Sequence, residues 1–132
     1  MPALDSLQFH DRLGTLRPRG RYSLPDAVDL VSNAIAECRE RSVNMLLVDA
    51  TGMVDLAIPN LVDRFLMVEE WAKEGKGTVI VAMVAPIEYH HPRKFGVKAA
   101  LHFGLICDVY TSEAEACAWL AETSSNNAQT GV

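Results

Sequence analysis

The sequence predicts a single α/β domain built on a largely parallel central sheet, preceded by a short antiparallel strand pair. Three observations carry this. Apolar runs of strand length at 43–50, 78–85 and 105–110 alternate with amphipathic stretches of helical period. The two longest runs, "VNMLLVDA" and "TVIVAMVA", are apolar on both faces, as strands covered on two sides are. The chain has 132 residues, 49% of them hydrophobic, which suits one domain with a core of its own.

Residues 4–22 read as the antiparallel pair. Leu7 and Phe9, then Leu13 and Leu16, alternate loosely; Gly14-Thr15 is the expected turn and Pro18 marks an edge. Ser23 is a good N-cap for a helix reaching about Arg41, with Pro25 and Asp26 in its first turn. Ala27, Leu30, Val31, Ala34, Ile35 and Cys38 form its buried stripe. The next strand ends at Asp49-Ala50-Thr51-Gly52. A helix is expected over 58–73, with Pro59 in its first turn, and Gly75 and Gly77 end it. Leu61, Phe65, Val68 and Ala72 are its expected buried side, with Val62 and Leu66 beside them. Met67 and Trp71 fall off that stripe, and two readings stand: half of a homodimer interface, or packing against the sheet edge. A third helix is expected over 92–102, opened by Pro92 and closed before Gly104. Ser112 opens the last helix with a capping box to Glu115. The tail at 123–132, "TSSNNAQTGV", is small and polar and is expected to be disordered, leaving 1–122 as the domain.

Composition excludes several classes of function. The net charge of −5 opposes general nucleic-acid binding, which draws its affinity from phosphate neutralisation. Residues 1–22 are the local exception. Arg12, Arg17, Arg19 and Arg21 outnumber Asp5 and Asp11 there. They read either as a site for an anionic partner or as solvated charges on an edge hairpin. Three cysteines, Cys38, Cys107 and Cys117, make an odd number without a C-x-x-C pair, against a disulfide framework or a structural zinc site. No leader pattern and no apolar run of membrane length occur, so a cytoplasmic protein without an integral membrane segment is expected.

Ligands of such sheets meet the loops beyond the strand C-terminal ends. That rim comprises 49–59 and 86–92, and its candidate binding residues are Asp49, Thr51, Asp55, His90, His91 and Arg93. Asp49 and Asp55 read as rim carboxylates for a ligand or as turn formers. His90 and His91 are adjacent and point to opposite sides, which disfavours a shared metal. With Pro92, Arg93 and Lys94 they form a basic helix start that suits an anion, or a plain solvated one. Cys107 has no neighbouring base. Gly75-Lys76-Gly77-Thr78 precedes a strand, the wrong context for a phosphate loop. No catalytic residue, metal or cofactor is expected.

The strand ending D-x-[ST]-G, the helix some six residues on, and the G-x-x-x-x-V-[FY] strand resemble STAS domains, the fold of anti-sigma-factor antagonists (SpoIIAA-like). "LLVDATG", "HPRKFGVKAALHFG" and "DVYTSEAEACAWL" are similar to a bacterial group of stand-alone STAS/SEC14-like domains. The resemblance covers about 4–122. It implies a mixed sheet of four or five strands flanked by about four helices, and a regulatory or protein-interaction role, sometimes with a bound nucleotide or small apolar ligand. It also implies a phosphorylatable hydroxyl at the helix after the D-x-[ST]-G loop. That position falls near Ile58-Pro59, which cannot be phosphorylated, and leaves Thr51 as the nearest candidate. The first expectation is therefore a non-enzymatic interaction module with an unknown protein partner, acting as a homodimer. The alternative is a SEC14-like carrier of a small apolar ligand. An enzyme using His90 and His91 comes last.

Overall fold

A computed structural model of the chain describes residues 6–130. Residues 4 and 5 of the expected strand pair, and 131 and 132 of the expected tail, lie outside the described residues. The fold is α/β: four helices and a five-stranded mixed sheet whose first two strands are antiparallel.

β1 (Leu7–His10) and β2 (Leu13–Leu16) form the hairpin, closed by Asp11-Arg12 with Asp11 at φ 56°. The expected turn at Gly14-Thr15 is corrected: both residues lie within β2. Gly14 is there because the helix that carries Cys38 passes close over it. A Cβ at this position would stand 2.9 Å from Cys38 Sγ. Phe9, its cross-strand partner, covers the gap and carries Arg41 4.4 Å above its ring.

β3 (Gly20–Arg21) is two residues long. Ser23 then caps α1 (Leu24–Glu40) by accepting from the Asp26 N–H. β4 (Met45–Asp49) follows, then β5 (Met53–Val54), which pairs with β3 in parallel and ties the loop after β4 to the chain before α1. α2 spans Leu61–Gly75, β6 Ile80–Val84, α3 Phe95–His102, β7 Cys107–Tyr110 and α4 Glu113–Thr130.

The sheet order is β1-β2-β4-β6-β7, parallel from β2 onward. Each crossover steps one strand further in the same direction. With a constant hand, that puts α1, α2 and α3 on one face. α4 follows the last strand and covers the other face, against β4, β6 and β7. The strands divide their side chains by the period of two. Leu46, Val48 and Val81 enter the core under α1–α3, while Leu47, Ile80, Ala82 and Val84 meet Ala116 and Leu120 of α4.

Three helix boundaries differ from expectation, each for a local reason. α2 begins at Leu61, not 58, because Asn60 and Asp63 form a reciprocal capping box and Pro59 lies before it. α3 begins at Phe95, not 92, because Lys94 sits in the left-handed region at φ 51°. α4 continues through 123–130, where disorder was expected; no Gly or Pro interrupts it, and Asn44 Nδ2 donates to Ser124 Oγ.

The largest correction concerns which side of α2 faces inward. Arg64, Met67, Val68, Trp71 and Gly75 do, at helical spacing. Trp71 is only 4% exposed and its indole N–H donates to the Val28 carbonyl, so it is core between α2 and α1. Of the side expected to be buried, Val68 is in the core and Ala72 packs against it, but the amino-terminal part is open: Val62 is 66% and Leu66 55% exposed, with Leu61 and Phe65 also outside. α2 is apolar on both sides, so hydrophobicity alone could not orient it.

Trp71→Ala is expected to cost about 3–5 kcal/mol of stability, whereas Leu66→Ser stays within about 0.5 kcal/mol. Urea unfolding of both variants checks this, and the reverse ranking would restore the orientation expected from periodicity.

Candidate functional site

The packing leaves a cavity of about 310 Å³ between the sheet and the three-helix face. Its floor is Val48, Met83, Cys107 and Val109 of the strands; its walls include Val28 and Val31 of α1, Met67 and Val68 of α2, and Val97 of α3. The volume lies at the small end of ligand pockets, which run from about 300 Å³ upward. The mouth opens at the strand C-terminal ends. There the amino ends of α1, α2 and α3 meet, with Leu24, Arg64 and Gly96 all on the lining.

The cavity is closed at one end by packing of α2 on α1. Gly75 lies against Ile35 there: an added Cβ would meet Ile35 Cγ2 at 3.4 Å. Arg39 Nε also donates to the Glu74 carbonyl at 2.6 Å. Toward the mouth α2 presents Met67 and then Arg64.

Polar groups at the mouth are mostly engaged. The Thr51 hydroxyl donates to Asp49 Oδ1 at 2.6 Å. Tyr89 donates to the Leu56 carbonyl at 2.7 Å, pinning the loop before α2. Lys94 Nζ bridges to Asp108 at 2.8 Å, anchoring a residue whose left-handed backbone costs about 1–2 kcal/mol. His91 Nδ1 accepts from the Arg93 and Phe95 N–H groups. This bond leaves the ring proton to Nε2, and the ring takes the place at the start of α3 that the sequence offered to an anion. Arg64 differs from these groups. It has no hydrogen-bond or ion-pair partner for its guanidinium among the described residues, and burial pulls its pKa down.

The candidate residues divide accordingly. Thr51 and His91 line the cavity. Asp49, Asp55, His90 and Arg93 do not. Asp49 points to the α4 side of β4, near Arg17. Asp55 pairs with Arg21 at 3.2 Å in the open, and His90 Nε2 donates to the Ala85 carbonyl. Arg93 is exposed. The Thr51 hydroxyl, the candidate for phosphorylation, is held against the Asp49 carboxylate, which would repel a phosphate. The arginine-rich start of the chain is partly neutralised, since Arg17 meets both oxygens of Glu113 at 2.8 and 2.9 Å.

Sequence reasoning missed Arg64 and the inward Met67. The available signal was the spacing 64-67-68-71-75, which competes with the more apolar stripe beside it.

Burial raises both inner thiols, Cys38 and Cys107, to about 12, so neither supplies a thiolate at neutral pH. Among the described residues, no group of three His, Cys, Asp or Glu side chains is placed to hold a metal ion. Among the same residues, no helix is long and apolar enough to cross a membrane. Comparisons with protein-family models, curated proteins and solved structures find no match.

The Arg17–Glu113 pair, which joins the end of β2 to the start of α4, carries a pH prediction. The Arg17 guanidinium, with a smaller contribution from a hydrogen bond to Asp49, holds the Glu113 carboxyl down to about 2, from an ordinary 4.5. A depressed carboxyl stabilises the fold above its unfolded pKa and loses that contribution as pH falls through the folded value. The side chains are 50% and 31% exposed, so screening limits the pair to about 1 kcal/mol or less. Glu113→Gln is therefore expected to lower stability by up to about 1 kcal/mol at neutral pH. Denaturant melts at a series of pH values should show the gap closing between about 4.5 and 2; a constant gap would mean that the charge pair is not its source.

Proposed function

We propose that this chain is a non-enzymatic binding module that holds a small apolar ligand between its sheet and its three-helix face. The observation that carries the reading is the cavity itself: about 310 Å³, apolar on floor and walls, opening at the strand C-terminal ends. An apolar lining of that extent offers a small apolar molecule close contacts on several sides. The reading fits the carrier branch of the STAS/SEC14-like resemblance.

A second reading, a regulatory module that docks a protein partner or a second copy, is favoured by a different observation. Leu61, Val62 and Leu66 of α2, with Leu101 of α3, are each more than half exposed. Clustered exposed apolar residues mark interaction surfaces.

One titration separates the two. Phenylnaphthylamine, a neutral apolar dye, is expected to brighten on the native protein, and Val97→Trp, which fills the cavity, should weaken its binding about tenfold or more. Thermal melts check that the variant is folded. Unchanged binding to Val97→Trp together with loss in Leu66→Ser would put the dye on the outer face of α2, and the interaction reading would replace the cavity.

A further inference from the structure

We infer that the ligand of this cavity is a single-chain amphiphile with a carboxylate head, and that Arg64 at the mouth is the residue that binds that head. The inference rests on the cavity being a ligand site and goes beyond it to the chemistry of the ligand.

Most polar groups on the lining already have partners within the protein. The Thr51 hydroxyl, the Tyr89 hydroxyl and the Lys94 ammonium each have a partner within the protein, and His91 Nδ1 has two. Two charged groups on the lining remain unpaired among the described residues, Arg64 and Glu88. Glu88 is exposed on the turn at Ile87–Tyr89 and stays solvated. Arg64 is half-buried, on the inward stripe of α2, close to α3: a Cβ at Gly96 would stand 4.0 Å from Arg64 Cβ.

A half-buried guanidinium without a counterion is a cost to the free protein. Its lowered pKa has that same desolvation as its cause. The cost is offset when a planar anion arrives, because the guanidinium fork matches a carboxylate in two parallel hydrogen bonds. Helix amino ends at the mouth add potential of the same sign, although Asp26 and Asp63 already occupy the first turns of α1 and α2. The apolar floor then takes the chain, and Arg64 sets which end stays at the mouth.

The charge count favours a carboxylate over a phosphate. One unpaired guanidinium neutralises one negative charge. A phosphate monoester carries about −1.5 to −2 at neutral pH, more than Arg64 alone neutralises.

The test is competition against phenylnaphthylamine by decanoate, decanol, decylamine and decyl phosphate, in the native protein and in Arg64→Gln. Decanoate is expected to bind about tenfold or more tighter than decanol, as a charge-assisted pair implies. Arg64→Gln should remove that preference and leave decanol affinity unchanged. Equal affinity for decanoate and decanol would overturn the head-group assignment while the cavity stands. A preference for decanoate that survives in Arg64→Gln would overturn the role of Arg64. Decyl phosphate or decylamine binding tightest would overturn the carboxylate. No competition by any of the four would remove the cavity reading together with this one. A second variant covers a folding defect: Arg64→Met is expected to melt at or above the native temperature without ligand, and a clear loss of stability would show that Arg64 is structural.

Discussion

Three parallel crossovers that advance across the sheet in one direction constrain this molecule more than any other feature. They commit α1, α2 and α3 to one face and leave α4 to cover the opposite face alone. They also bring three helix amino ends to the same edge, since each helix starts where a parallel strand has just ended. The rim, the cavity mouth and the loops after β4 and β6 are consequences of that ordering.

Within it, α2 is the element whose placement decides the site. Its carboxyl half is drawn onto α1 by Trp71, Gly75 and the bond from Arg39 to the Glu74 carbonyl. Its amino half is held by the Asn60–Asp63 capping box and a loop pinned by Tyr89. A helix closed at one end and tethered at the other leaves space beneath its first turns. Val48, Met67 and Val97 line that space with apolar surface, and Arg64 stands at its edge. The inward position of Arg64 conflicts with the apolar stripe around it. Such a break with the local pattern is what the proposed head-group role of Arg64 would account for.

Much of the fold was legible in the sequence, because burial on two faces writes continuous apolar runs and helical stripes write their own period. The strands at 43–50 and 78–85, the Ser23 cap and the Ser112 start all follow from that. The orientation of α2 was not legible, since Leu61, Val62, Phe65 and Leu66 make a stronger stripe than 64-67-68-71-75, and only the contact with α1 chooses between them. Gly14 read as a turn because a glycine kept for close approach and one kept for conformation look alike in sequence. The site was half legible: topology located the rim, and Thr51 and His91 lie on the cavity. Arg64 was hidden because it belongs to the less apolar of two competing stripes on one helix.

The methionines allow the central claim, an apolar ligand between the sheet and α1–α3, to be measured directly. Met53, Met67 and Met83 line the cavity, whereas Met45 packs on the α4 side of the sheet. With methyl-labelled methionine, an NMR titration with decanoate is predicted to shift the Met53, Met67 and Met83 methyl signals and leave Met45 in place. Shifts at Met45, or none at the three cavity methionines, would contradict the account.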